Sequence, residues 1–138
     1  MNRIIFLLLS LSGVLAASGC SENRPEPEVY DLKCENLRDP LGIGTPVPRL
    51  SWKYFTSTAF ESQSAYQIVA ASSIKLLTES KADLWNSGIT ESPESLLIKW
   101  TGEELTSGAV CYWKVRIWDK CGSVSDWSEV ASFTTGLL

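Results

Sequence analysis

The side chains available for chemistry are unusual in what they omit: four cysteines, six tryptophans and 16 acidic residues, but no histidine. Without an imidazole, Ser-His-Asp and Cys-His nucleophilic catalysis, His-ligated zinc and a His-based pH switch are excluded. Carboxylates remain as acid–base candidates, yet Glu103, Glu104, Asp119, Asp126 and Glu129 lie scattered in or beside turns. A glycosidase needs two carboxyl groups facing each other across a sugar, about 6.5–9.5 Å apart for inversion. Nothing in their spacing builds such a pair, so no catalytic residue is expected. Asp31, Glu35 and Asp39 lack the dense Asp/Asn/Gly loop of a calcium site, so neither a metal nor a cofactor is expected. The 12 basic residues against 16 acidic ones give a net charge of −4 without a basic block, which argues against nucleic acid as a partner.

The densest set of binding-type residues lies between Val110 and Asp119. Strict alternation there places Cys111, Trp113, Val115 and Ile117 on one face and Tyr112, Lys114, Arg116 and Trp118 on the other. Trp127 can lie across the second face. An indole over a guanidinium or ammonium is worth about 0.5–1 kcal/mol when exposed. This ladder reads either as cladding of a sheet or as a platform for a glycan or a docking partner.

The first 19 residues carry one charge, Arg3, then an apolar run from Ile4 to Ala17 and the small residues Ser18 and Gly19. These are the parts of a secretory signal peptide, and the run is too short for a membrane span of about 20 residues. Ala17-Ser18-Gly19-Cys20 resembles the lipobox of bacterial lipoproteins, which implies acylation of Cys20 and a membrane anchor made of lipid. Export to the periplasmic or cell-surface side of a bacterial membrane is the expected localisation. Residues 20–28 follow as a flexible acylated linker, with Pro25 and Pro27 among glutamates and nothing to bury before Val29. Removal of the leader takes Arg3 with it and leaves 11 basic against 16 acidic residues, 11 − 16 = −5. Lipid on Cys20 leaves Cys34, Cys111 and Cys121, an odd number. Cys111 and Cys121 lie at the two ends of one strand, about 30 Å apart when extended, far beyond disulfide reach. Buried free thiols are the favoured reading, with a Cys34 bridge as the alternative.

The length of 138 residues fits one domain. From residue 29 onward, period-two segments are separated by turn residues. Asp31 to Leu37, Arg49 to Tyr54, Ser64 to Ala71, Leu84 to Gly88, Ser95 to Trp100, Val110 to Asp119 and Glu129 to Thr135 read as strands. A short helical turn is expected between Ser72 and Asp83. About seven short strands in roughly 100 residues predict an all-β, two-sheet β-sandwich of immunoglobulin or fibronectin type III type over 29–138. Leu50, Trp52, Trp113, Val115 and Ile117 are its expected centre. Trp85 and Trp100 can plug the sandwich or face a partner.

Several segments fall in a familiar order: Asp39-Pro40-Leu41-Gly42-Ile43, Pro48-Arg49-Leu50-Ser51-Trp52, Gln63-Ser64-Ala65-Tyr66-Gln67-Ile68, Leu84-Trp85-Asn86-Ser87-Gly88, Tyr112 to Asp119, and Trp127-Ser128-Glu129. Leu32-Lys33-Cys34-Glu35 and Phe133 to Leu138 fit as start and end. Together they resemble the N-terminal fibronectin type III-like domain of bacterial α-L-rhamnosidases. The resemblance implies an accessory domain of enzymes that release terminal L-rhamnose by inversion, with the acid and base in a separate α/α barrel downstream. It implies for this chain a non-catalytic module without its barrel, a truncated or split product. The partners would be that catalytic domain, a rhamnose-containing glycan, and the membrane through the lipid. A stand-alone membrane-tethered glycan- or protein-binding module is the alternative. In such sandwiches a Leu-x-x-Gly turn precedes the penultimate strand, as Leu105 to Gly108 does here, and a tyrosine three residues later pins the corner. Cys111 stands there instead, so the corner hydrogen bond is expected to be missing.

Overall fold

In the computed structural model, described at residues 20, 23–57 and 62–138, the strands are β1 (Glu28–Cys34), β2 (Arg49–Phe55), β3 (Gln63–Ala71), β4 (Trp85–Asn86), β5 (Thr90–Glu91), β6 (Ile98–Lys99), β7 (Val110–Asp119) and β8 (Ala131–Thr134). The expected leader, 1–19, lies outside the described residues. One sheet has the order β1-β2-β6, and the other β4-β3-β7-β8 with β5 beside β3. All strand pairings are antiparallel. The sandwich expected from the alternation is present, with Thr90–Glu91 as a strand the turn-rich sequence around it hid.

Alternation decides which side chains meet between the sheets. Leu50 and Trp52 from β2 face Ile68 from β3 and Trp113, Val115 and Ile117 from β7, all at most 1% exposed. Trp85 and Trp100 also turn inward, their rings 5.0 Å apart, so both act as plugs. Gly102 lets the chain pass over Trp85, because a Cβ there would lie 2.6 Å from the Trp85 Cβ. Strand β3 departs from simple alternation and is buried along nearly its whole length. Its outer face is covered as well, since Val69 and Ala71 pack with Leu77, Tyr112 and Trp127. The helical segment expected after β3 shrinks to a 3-10 turn, Ile74–Leu76.

The expected first strand, 31–37, is shifted. It runs from Glu28 and stops at Cys34, because Glu35 and Asn36 both take positive φ and turn the chain back. Strand register then defines two ends. Cys34, Arg49, Ala71, Val110 and Thr134 share one, here termed the exit end, and Glu28, Phe55, Gln63 and Asp119 share the other, the head end.

Loop 39–43 runs beside β8. The Asp39 carboxylate, Pro40 O and Ile43 O accept from the amides of Ser132, Thr134 and Gly136. Before β8 itself, the chain continues along β7 through two serines. Ser125 Oγ accepts from Ile117 N, and Ser128 Oγ accepts from Val115 N, both at 3.0 Å. At the corner before β7, Gly108 takes φ +71°, a conformation glycine adopts without strain. Thr135 Oγ1 accepts from Ala109 N and donates to Thr106 O, so the corner that lacks its tyrosine is pinned by a threonine.

Candidate functional site

The outer face of β7 builds the ladder the alternation predicts, with one exception. Arg116 lies over Trp127 with its guanidinium carbon 4.5 Å from the ring centroid, and over Trp118 at 5.2 Å. Lys114 Nζ lies 5.0 Å from the Trp127 ring. Tyr112 takes no part in the stack and packs instead under the 3-10 turn with Val69, Ala71 and Leu77. The guanidinium is further fixed by donation to Gln67 Oε1 at 2.8 Å and to Glu79 Oε1 at 2.7 Å. Gln67 in turn donates to Asn86 Oδ1, whose amide nitrogen donates to Glu79 O. Each indole thus gives a face to a cation that is already held in place. Gln67 and Glu79 escaped sequence reading because they come from β3 and from the loop after the 3-10 turn. The inward parity of Gln67 is hidden by the all-round burial of β3.

The carboxylates are held as structural anions. Asp31 sits among Lys53, Arg38 and Lys33, and hydrogen bonds from Lys53 and then Arg38 pull its carboxyl below the ordinary range. A bidentate Arg49 does the same for Glu35. Ser72 does so for Asp83 through its hydroxyl and amide. Asp39 is taken by the Ser132 amide. The calcium set of Asp31, Glu35 and Asp39 is therefore dispersed among separate partners. A glycosidase's general acid needs the opposite shift, upward, so that it holds a proton near neutral pH.

Asp119 is the carboxylate that sequence reading misplaced in a turn. It is 1% exposed, and Oδ1 accepts from the amides of Cys121 and Ser123 while Oδ2 takes Arg24 at 3.0 Å. The signal was available, since Asp119 has the same inward parity as Cys111 to Ile117. Arg24 belongs to the linker expected to be mobile, yet it is anchored here, and Pro27 beyond it is buried. The cysteine expectation needs a correction too. Cys34 and Cys111 are buried free thiols, but Cys121 is disulfide-bonded to Cys20. The anchored linker brings the two together. One sulfur cannot be both a thioether and half of a disulfide, so the acylated Cys20 read from the lipobox and this bond are alternative states.

An immunoglobulin-type sandwich whose aromatic face is braced by its own cations and whose carboxylates are spent on ion pairs and turns defines an accessory module. Residues 29–138 match the N-terminal immunoglobulin domain of the Rha78A-like family, and the chain belongs to that family. It is 38% identical over 139 residues to an α-L-rhamnosidase of Formosa agariphila, covering 99% of this chain and 14% of that protein. An α-L-rhamnosidase of Streptomyces avermitilis is 38% identical over 104 residues, covering 75% of this chain and 10% of that protein. The crystal structure of an S. avermitilis α-L-rhamnosidase complexed with L-rhamnose superposes with a TM-score of 0.75 at 36% identity, over 80% of this chain and 10% of that one. The α-L-rhamnosidase structure from Dictyoglumus thermophilum gives 0.76 at 39%, over 86% of this chain and 13% of that one. The chain spans only the small N-terminal domain of these enzymes and not their catalytic region.

Proposed function

We propose that this chain is the non-catalytic head module of an exported, lipid-anchored α-L-rhamnosidase. Its partner is the catalytic body of such an enzyme, which would release terminal rhamnose from glycans with inversion using carboxylates of its own. The observation that carries this reading is coverage: residues 29–138 match the family's N-terminal domain, while the same alignments take in only 10–14% of the relatives. The downward-held carboxylates of Asp31, Glu35 and Asp83 support it from the chemical side. Incubation of the purified chain with an aryl α-L-rhamnoside is expected to release no rhamnose; release above a buffer blank would overturn the reading.

Anchoring rests on the lipobox-like Ala17 to Cys20. Radiolabelled palmitate is expected to mark the mature chain in a bacterial host and to be lost in Cys20→Ser. An unlabelled wild-type chain that retains the Cys20–Cys121 bond would leave a secreted protein instead.

A second reading, a tethered glycan-binding module, draws on Trp118 and Trp127, which remain half-buried side by side on the outer face. Retardation of the chain in a gel containing a rhamnose-bearing glycan, lost in Trp118→Ala and Trp127→Ala, would carry it.

A further inference from the structure

We propose that the exit end of the sandwich is a preformed docking face, and that its occupant is the body that follows this module in α-L-rhamnosidases; the proposal rests on the accessory-module reading above. Six apolar residues emerge at this end: Leu37 (58% exposed), Leu41 (84%), Val47 (49%), Val110 (42%), Leu137 (94%) and Leu138 (45%). They come from four separate segments. The turn after β1 supplies Leu37, the loop before β2 supplies Leu41 and Val47, the first residue of β7 supplies Val110, and the chain beyond β8 supplies the last two. Side chains from four segments converging on one end differ from the single exposed apolar residues that any soluble surface carries.

The backbone beneath the face is fixed. Thr134 Oγ1 accepts from Gly42 N at 2.8 Å, Gly136 O accepts from Gly108 N at 3.1 Å, and Ser107 Oγ accepts from Leu138 N at 2.9 Å. Gly136 runs so close to Gly42 that a Cβ on it would lie 3.1 Å from the Gly42 carbonyl oxygen. Leu41 and Leu137 therefore project from one stitched surface, and little ordering entropy is left to lose on docking.

The occupant follows from chain geometry. The match to the family's N-terminal domain runs to Leu138, and most of each relative lies beyond it. Successive Cα atoms are about 3.8 Å apart, so the next body in a relative begins against this end and not the head end. A second exposed apolar group, Leu96 and Leu97, borders the open groove between β4 and β6. No chain segment leads toward it, and it serves as the control surface.

The test is amide hydrogen exchange on the complete chain alone and on the same chain replacing the matching domain of the S. avermitilis enzyme. Amides of residues 41–47 and 107–110 are expected to exchange at least about tenfold more slowly in the fusion. The pair Leu41→Asp and Leu137→Asp is expected to abolish that slowing while leaving the melting temperature of the chain alone unchanged. Slowing confined to residues 94–98 would overturn the face and leave the accessory-module reading intact. Equal exchange everywhere, with the module melting independently of an active body, would overturn both. Self-association of the chain through residues 41–47 that persists unchanged in the fusion would make a second copy the occupant and overturn the proposal.

Discussion

At the head end, Asp119 is buried with every oxygen committed to Arg24 or to the amides of Cys121 and Ser123, and Gln63 likewise links Trp52 Nε1 to the carbonyls of Ser92 and Glu94. At the exit end the polar groups lie underneath, at Thr135, Gly136 and Ser107, and the apolar ones point outward. One end is closed by satisfying buried polar atoms and the other by backbone stitching that leaves leucines uncovered. Stability is therefore concentrated at the head, where each group has an internal partner. The exit surface is nearly free of stabilising work within the chain, which leaves it available for contact.

The sharpest way to break this contrast is at Asp119. Asp119→Ala strands two amides and the Arg24 guanidinium, and should cost about 3 kcal/mol in a urea melt. A loss below about 1 kcal/mol would mean that the head end is not the polar lock described here. Gln63→Ala removes the acceptor of a buried indole N–H and should cost about 2 kcal/mol, read the same way. Trp113 Nε1, by contrast, has no hydrogen-bond partner, so Trp113→Phe loses packing but no bond.

Beneath the exit end, burial pushes the Cys34 thiol up to about 12 and raises that of Cys111 as well. Both raised groups are neutral in either state below the thiol's ordinary value of 9, so stability is intact there. As pH rises beyond it, the unfolded thiols ionise first, and stability should fall by about 1.4 kcal/mol per unit for each thiol. Urea melts at pH 8 and pH 10 check this, with a shallower alkaline loss expected in Cys111→Ala. Acid acts with the opposite sign at the same end. Glu35 and Asp83 are held below their ordinary values of 4.5 and 3.8, so their contribution is present above those values and lost as pH falls through the depressed ones. Both are near the surface, and the loss should stay under about 1 kcal/mol and shrink with added salt. Smallest of all, Leu41→Ser and Leu137→Ser should leave the midpoint of the isolated chain within about 0.5 kcal/mol.

Strand alternation made the sandwich legible, and nowhere better than in β7, whose limits Val110–Asp119 and inner face follow directly from the period of two. The same parity continued to Asp119 and went unused, because a carboxylate next to a turn reads as solvated. Strand β5 was not legible because two residues carry no period. The Cys20–Cys121 bond depends on where Arg24 lands, which no local pattern encodes. The stack of Arg116 with Trp127 followed from parity plus charge, whereas its anchors Gln67 and Glu79 required the tertiary fold.

The loop from Asp39 to Ile43 has an effect beyond holding the corner. By taking the amides of Ser132, Thr134 and Gly136, it leaves the outer margin of β8 without donors for an incoming strand. A sheet margin so occupied cannot seed strand-by-strand growth between neighbouring molecules, the route by which exposed β edges polymerise. Crowded side by side, copies of this module would meet at that margin and find nothing to extend.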